Sequence, residues 1–217
     1  MQLKLCGNHS LHDVKLAANS KADYVGFVFA NSKRCAEPSR VREWLRQVPL
    51  RHDQQTVGVF VNPTFAEIAA VVNQVPIDVI QLHGDEPPEQ VAVVKTMFSL
   101  PVWKVIHHSD HAIDTIDHYK EVADAFLIDN KTASAWGGTG QSFDWSFVPA
   151  YLEKIHAFGK RCLIAGGIHP GNVEKLLKYH PDGIDLASGV ETDRKKDEEK
   201  ISQLQERIER YECHHSA

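Results

Sequence analysis

Eight short apolar runs recur along the chain with longer amphipathic stretches between them, and this alternation restricts the fold more than any single motif. The runs are Leu3 to Cys6, Tyr24 to Phe29, Thr56 to Val61, Ile77 to Leu82, Val102 to Ile106, Ala125 to Asp129, Arg161 to Ala165 and Gly183 to Leu186. Segments such as YVGFVF and DVIQL are apolar at nearly every position, which fits strands buried on both faces. The stretches between them carry helix signals: Leu11 to Asn19 follows Ser10, a candidate N-cap, Phe65 to Val72 follows Pro63-Thr64, and Val173 to Leu177 follows Pro170. Lys195 to Tyr211 is rich in charge with Ile201, Leu204 and Ile208 on one face, and reads as a docked terminal helix. Strands alternating with helices imply a parallel sheet wrapped by helices. Eight such units with no spare domain describe one closed α/β barrel of the (β/α)8 TIM type over residues 1–217 more economically than an open, doubly wound sheet.

Length permits a single large core at 217 residues, and 42% hydrophobic with 24% charged residues is ordinary globular composition. A net charge of -5 without a basic stripe argues against a nucleic-acid partner. No run approaches the length needed to cross a bilayer, and the opening MQLKLCGNHS has no long apolar stretch behind a basic patch, so a cytoplasmic chain without a membrane partner is expected. Cys6, Cys35, Cys162 and Cys213 lie far apart without CxxC spacing, and the 13 histidines include no HExxH. Neither a metal site nor a disulfide framework follows, and free thiols in a reducing compartment are expected. No helix shows an unpartnered apolar stripe, which makes a monomer the default.

In a parallel barrel the carboxyl ends of the strands converge on one mouth, so each strand end indicates what that mouth contains. Cys6 ends the first strand, Arg34 follows the second, Gln81 and His83 end the fourth, and Asp129 ends the sixth. After the sixth strand comes an irregular stretch, Asn130 to Ser142, that includes GGTG at Gly137 to Gly140; AGGI at Ala165 to Ile168 and ASGVE at Ala187 to Glu191 follow the last two strands. Glycine lets backbone N–H groups approach an anion closely, and two such loops in those positions suit a phosphate. A thiol and a carboxyl facing across the mouth could act as base and acid. Each has a plainer reading: Cys6 as a small buried hydrophobe, Asp129 as a loop-capping carboxylate. Arg34 could equally be a solvated arginine, Asp144 an N-cap near Trp145, and Asp185 a structural carboxylate in the eighth strand.

Taken in order, the motifs resemble the phosphoribosylanthranilate isomerase family across essentially the whole chain. They are KLCG at Lys4 to Gly7, GFVF at Gly26 to Phe29 followed by SKR at Ser32 to Arg34, VGVFVN at Val57 to Asn62, and QLHGDE at Gln81 to Glu86. GGTGQSFDW at Gly137 to Trp145, AGGIHPGNV at Ala165 to Val173, and DLASGVE at Asp185 to Glu191 with KKD at Lys195 to Asp197 complete the set. The resemblance implies a single (β/α)8 barrel without metal or organic cofactor. It also implies an Amadori rearrangement of N-(5'-phosphoribosyl)anthranilate, a small phosphorylated aminosugar, to 1-(2-carboxyphenylamino)-1-deoxyribulose 5-phosphate in tryptophan biosynthesis. By position, Cys6 is implied as general base, Asp129 as general acid and Arg34 as the partner of the anthranilate carboxylate. Gly166, Gly167, Ser188 and Gly189 are implied at the phosphate, with Gln81, His83, Gly138, Gly140 and Asp185 around the substrate.

An acid must arrive protonated and a thiol base at least partly ionised, whereas reference values of about 3.9 and about 8.5 run the other way. A raised Asp129 and a lowered Cys6, either before or during substrate binding, are therefore expected. The sequence departs from the family's usual pattern at Asn8-His9-Ser10, at Lys33 before the arginine, and at Trp136. Two alternatives are open: another phosphosugar isomerase, such as the histidine-pathway enzyme that pairs two aspartates, and a phosphate-binding barrel that has lost catalysis. The retained Cys6 and Asp129 weigh against both.

Overall fold

The computed structural model describes residues 1–130 and 142–215. Eight parallel strands form a closed barrel in sequence order: β1 (Gln2–Leu5), β2 (Tyr24–Val28), β3 (Gln55–Phe60), β4 (Val79–Leu82), β5 (Val102–His107), β6 (Ala125–Asp129), β7 (Arg161–Ile164) and β8 (Gly183–Leu186). Outside them lie α1 (Leu11–Asn19), α2 (Pro38–Gln47), α3 (Phe65–Val72), α4 (Pro88–Phe98), α5 (Ala112–Tyr119), α6 (Val148–His156), α7 (Val173–Leu177) and α8 (Glu198–His215). The barrel closes where β1 pairs with β8 in the register Gln2 with Gly183 and Lys4 with Asp185. The predicted runs match the strands to within about two residues, the uncertainty inherent in element ends.

Double burial explains the near-continuous apolar runs. Alternate residues of each strand face the barrel interior, where Val57, Val59, Val79, Trp103, Leu127 and Leu163 pack together and Tyr24 meets Trp103 edge-on at 4.7 Å. The residues between them, including Leu5, Phe27, Ile80, Phe126, Ile164 and Ile184, pack against the helices in a second core. Local signals set the helix starts: Ser10 accepts from the Asp13 N–H, and Thr64 forms a capping box with Glu67. Asp144 accepts from the Ser146 N–H and starts the short 3-10 turn Trp145–Phe147, as expected of it.

One expected element is different. Lys195 and Lys196 are not helical but form β10 (Lys195–Lys196), which pairs antiparallel with β9 (Glu191–Thr192), and α8 starts only at Glu198. Asp193 and Arg194 both adopt positive φ, giving a tight two-residue turn, and Asp197 then accepts from the Lys200 N–H at 3.1 Å as the helix cap. The apolar face of α8 is buried at Ile201, Leu204 and Ile208, as read from the sequence, and the helix continues through Cys213. No helix among the described residues is long and apolar enough to cross a membrane.

A buried ion pair ties the loops after β3 and β4 to β5 at the mouth. Lys104, pointing outward from β5, donates to the Gly84 carbonyl at 2.7 Å and the Val105 carbonyl at 3.1 Å, and pairs with Glu86 at 2.9 Å. The other Glu86 oxygen accepts from the backbone N–H groups of Asn62 and Gly84. Burial pulls the Lys104 ammonium below its ordinary pKa and Glu86 opposes that pull. Glu86→Ala leaves this ammonium without a counter-charge, so urea denaturation should show a loss of about 3–5 kcal/mol; a loss within about 0.5 kcal/mol, the range of ordinary surface substitutions, would mean the hub is dispensable.

Candidate functional site

At the mouth, β1 leads directly into Cys6, one residue beyond the strand's end, whose N–H still donates to the Leu186 carbonyl at 2.8 Å. Its sulfur sits over Gly26 of β2, where a Cβ would stand 2.8 Å from Sγ and 3.2 Å from the Lys4 side chain. That close approach requires glycine at 26. Lys4 faces inward two residues before Cys6 and pairs with Asp185 at 2.9 Å, both groups buried. The second Asp185 oxygen has no hydrogen-bond partner among the described residues. Burial acts to lower the Lys4 pKa, but the Asp185 carboxylate beside it holds the ammonium above its ordinary value.

The free protein does not show the expected lowering of the Cys6 pKa. Burial pushes the thiol up, and the Lys4 charge beside it only partly offsets this. In the free protein Cys6 is therefore held as the thiol.

Asp129 closes β6 on the same inner face and is buried. One carboxylate oxygen accepts from the Asn130 N–H at 2.7 Å; the other lies 3.2 Å from His83 Nε2, at an angle too oblique for a hydrogen bond. Gln81 Nε2 lies 3.2 Å from His83 Nδ1. With the amide donating, the ring proton sits on Nε2, facing the acid. Gln81, His83 and Asp129 are thus brought together as a set.

Arg34 reaches back over Gly7 and forms a two-point contact with Glu191 through Nε (3.0 and 3.1 Å) and Nη2 (2.7 Å). Glu191 also pairs with the buried Lys196 at 2.9 Å, and Lys196 donates to the carbonyls of Cys6 at 2.7 Å and Ala187 at 3.2 Å. Burial alone would raise the Glu191 pKa, but Arg34 and Lys196 hold it below the usual carboxylate range. Of the departures noted in the sequence, Asn8 is buried and bridges the Leu5 and Gly26 carbonyls, which fixes the turn after β1; Lys33 is exposed. Trp136, Gly138 and Gly140 lie outside the described residues.

The loops after β7 and β8 meet closely. Gly166 and Gly167 both have positive φ, and Asn172 ties the second turn by donating to the Gly167 carbonyl at 2.8 Å. A Cβ on Gly189 would stand 1.7 Å from the Ile168 carbonyl, so only glycine fits where the two loops touch. Gly167, Ser188 and Gly189, with His169 and Lys200, line a depression of about 450 Å³. A second depression of about 360 Å³ lies at Met1, His180 and Asp182, at the opposite end of the barrel from the strand ends. Three participants were not picked out from the sequence: Lys4, Glu191 and Lys196. A lysine in the apolar run LKLC, two residues from Cys6, was the available signal for the first.

The family model described as N-(5'phosphoribosyl)anthranilate (PRA) isomerase matches residues 3–207. The chain is 51% identical over 211 residues to the N-(5'-phosphoribosyl)anthranilate isomerase of Geobacillus thermodenitrificans, covering 97% of this chain and 95% of that one. It is similar to a solved structure of monomers generated from the dimeric phosphoribosylanthranilate isomerase of Thermotoga maritima, at 31% identity and a TM-score of 0.79, covering 96% of this chain and 98% of that one. A solved phosphoribosylanthranilate isomerase in complex with reduced 1-(o-carboxyphenylamino)-1-deoxyribulose 5-phosphate is 31% identical with a TM-score of 0.78, covering 94% of this chain and 96% of that one.

A raised thiol pKa means that less thiolate is present at any neutral pH, so alkylation of Cys6 should rise as pH increases beyond the ordinary thiol range. Peptide mapping after iodoacetamide treatment at pH 7 should find the exposed Cys35 and Cys213 modified and the buried Cys6 and Cys162 spared. Labelling of Cys6 as fast as that of Cys35 at pH 7 would contradict the thiol assignment.

Proposed function

Because the chain belongs to the N-(5'-phosphoribosyl)anthranilate isomerase family, we propose that its barrel mouth rearranges N-(5'-phosphoribosyl)anthranilate to 1-(2-carboxyphenylamino)-1-deoxyribulose 5-phosphate for tryptophan biosynthesis, with Asp129 as general acid and Cys6 as general base. The observation that carries this reading is the arrangement of Cys6 and Asp129 on the inner face at the ends of β1 and β6, with the glycine turns of the β7 and β8 loops beside them. Asp129 donates its proton to the furanose ring oxygen, and the C1–O bond breaks to give the open iminium. Cys6, in the fraction of molecules that has lost its own proton to solvent, then removes the proton from the adjacent sugar carbon as the thiolate, and the enolamine tautomerises to the ketone.

The surroundings suit those steps. Lys4 supplies positive charge beside the sulfur at the moment it must become a thiolate, and Asp185 keeps that ammonium in place. The oxygens of Asp185 and Gln81 that have no hydrogen-bond partner among the described residues suit substrate hydroxyls, and His83 faces the acid. Gly166, Gly167, Ser188 and Gly189 supply close-approaching backbone and one hydroxyl for the phosphate, and the Arg34 guanidinium binds the aryl carboxylate. Gly138 and Gly140 belong to the same reading as substrate contacts. The protein acts in the cytoplasm as a monomer, in keeping with four free cysteines.

Loss of anthranilate fluorescence on mixing with freshly made substrate tests the reading, with Cys6→Ala and Asp129→Ala each expected to fall by roughly 10²–10⁴-fold. Wild type that binds the substrate without converting it would point instead to a binding barrel. With the thiol raised in the free enzyme, kcat/KM should climb as pH rises through the neutral range towards alkaline values. A profile flat from pH 6 to 9 would remove Cys6 as the base.

A further inference from the structure

We propose that Glu191, locked by Lys196, is a positioning residue that sets which edge of the Arg34 guanidinium meets the substrate, and so makes the aryl carboxylate the feature this site selects for. The inference rests on the reading of Arg34 given above.

A guanidinium carries five N–H donors in a rigid fork. Glu191 occupies the side edge, taking the Nε–H and one Nη2–H. Three donors remain, two on Nη1 and one on Nη2, and the Nη1–Nη2 end is the second edge able to hold a carboxylate at two points. Burial separates the roles: the Arg34 side chain is 18% exposed, Glu191 4% and Lys196 0%. Glu191 is enclosed by its cations, and of the three side chains the arginine is the one left open to solvent.

Lys196 makes the arrangement rigid. Its three ammonium protons match three acceptors, the carbonyls of Cys6 and Ala187 and one oxygen of Glu191. Register places Lys196 directly opposite Glu191 in the β9–β10 hairpin, so a single turn at Asp193-Arg194 delivers both partners. The hairpin is itself held from two sides. Asp13 of α1 accepts from the Lys196 N–H at 2.9 Å, and Lys200 of α8 donates to the Glu191 carbonyl at 2.7 Å. One buried ammonium therefore fixes both the backbone of the proposed base and the carboxylate that aims Arg34. Two cations sharing one carboxylate leave a single positive charge, which an incoming carboxylate neutralises.

Steady-state kinetics of the full chain test this with Glu191→Gln, an isostere that loses the charge-assisted hold. The expected result is a KM for phosphoribosylanthranilate raised about tenfold with kcat changed less than about twofold. The analogue made from aniline and ribose 5-phosphate lacks the aryl carboxylate, and its kcat/KM should fall by less than about twofold in the same variant. In an Arg34→Ala background, Glu191→Gln should add less than about twofold to KM, because the two residues act as a unit. An unchanged or lowered KM, which a carboxylate merely competing for Arg34 would give, overturns the proposal. So does an equal loss for the carboxylate-free analogue, or full additivity with Arg34→Ala. If Glu191→Gln does not fold, Glu191→Asp keeps a counter-charge for Lys196 while withdrawing it from Arg34, and the same KM-only change is required of it. A wild type that turns over while these variants keep their KM defeats this inference alone, whereas an inactive wild type defeats the functional reading beneath it.

Discussion

Closure of β1 on β8 in one register decides which side chains can meet inside this barrel. Side chains alternate between faces along a strand, so pairing Lys4 with Asp185 fixes the parity of β1 and β8 together. A slip of one residue would turn Lys4 and Cys6 out into the helix layer and bring Leu3 and Leu5 into the mouth. The closed sheet leaves no free edge to absorb such a slip, and parity passes from strand to strand around the ring. Asp129 and Gln81 face inward for the same reason as Cys6.

Among the described residues, three buried ammonium–carboxylate pairs sit within this frame: Lys4 with Asp185, Lys104 with Glu86 and Lys196 with Glu191. Apolar residues of the same volume would often match or improve stability at such places, by about 1–4 kcal/mol. What the charged pairs supply is location. Lys104 and Lys196 also bind loop carbonyls that no regular secondary structure would satisfy, so each converts several chain ends into one fixed surface. Lys4 instead places a charge beneath a thiol that burial keeps neutral, offsetting that effect in part.

The barrel was readable because burial on both faces writes itself as near-continuous apolar runs, and the mouth was readable because strand ends are where those runs stop. Capping worked for the same local reason at Ser10, Thr64 and Asp144. Sequence reasoning failed where a charged residue is buried. Lys195 and Lys196 were read into the charged face of a terminal helix, yet Lys196 is enclosed and paired across a hairpin. No periodicity distinguishes a lysine that is solvated from one with three acceptors waiting. Glu191, at the end of a quoted motif, was passed over for the same reason. The lowering expected of Cys6 before or during substrate binding is absent from the free protein, because burial outweighs the nearby Lys4 charge, a cost that only the packed structure shows.

The hydrogen bond from Lys196 to the Cys6 carbonyl spans 190 residues, and the pair between Lys4 and Asp185 spans 181. Those separations set an order of events during synthesis. The first strand leaves the ribosome carrying its cysteine, and at about 5–20 residues per second it waits many seconds for the partner that closes the ring. Until then β1 and the most recently made strand are both open edges, the form of β-structure most exposed to wrong pairing. The nascent chain therefore holds nearly all of its hydrophobic surface before it holds any site, and its dependence on protection from aggregation ends only when the last strand and the hairpin after it emerge.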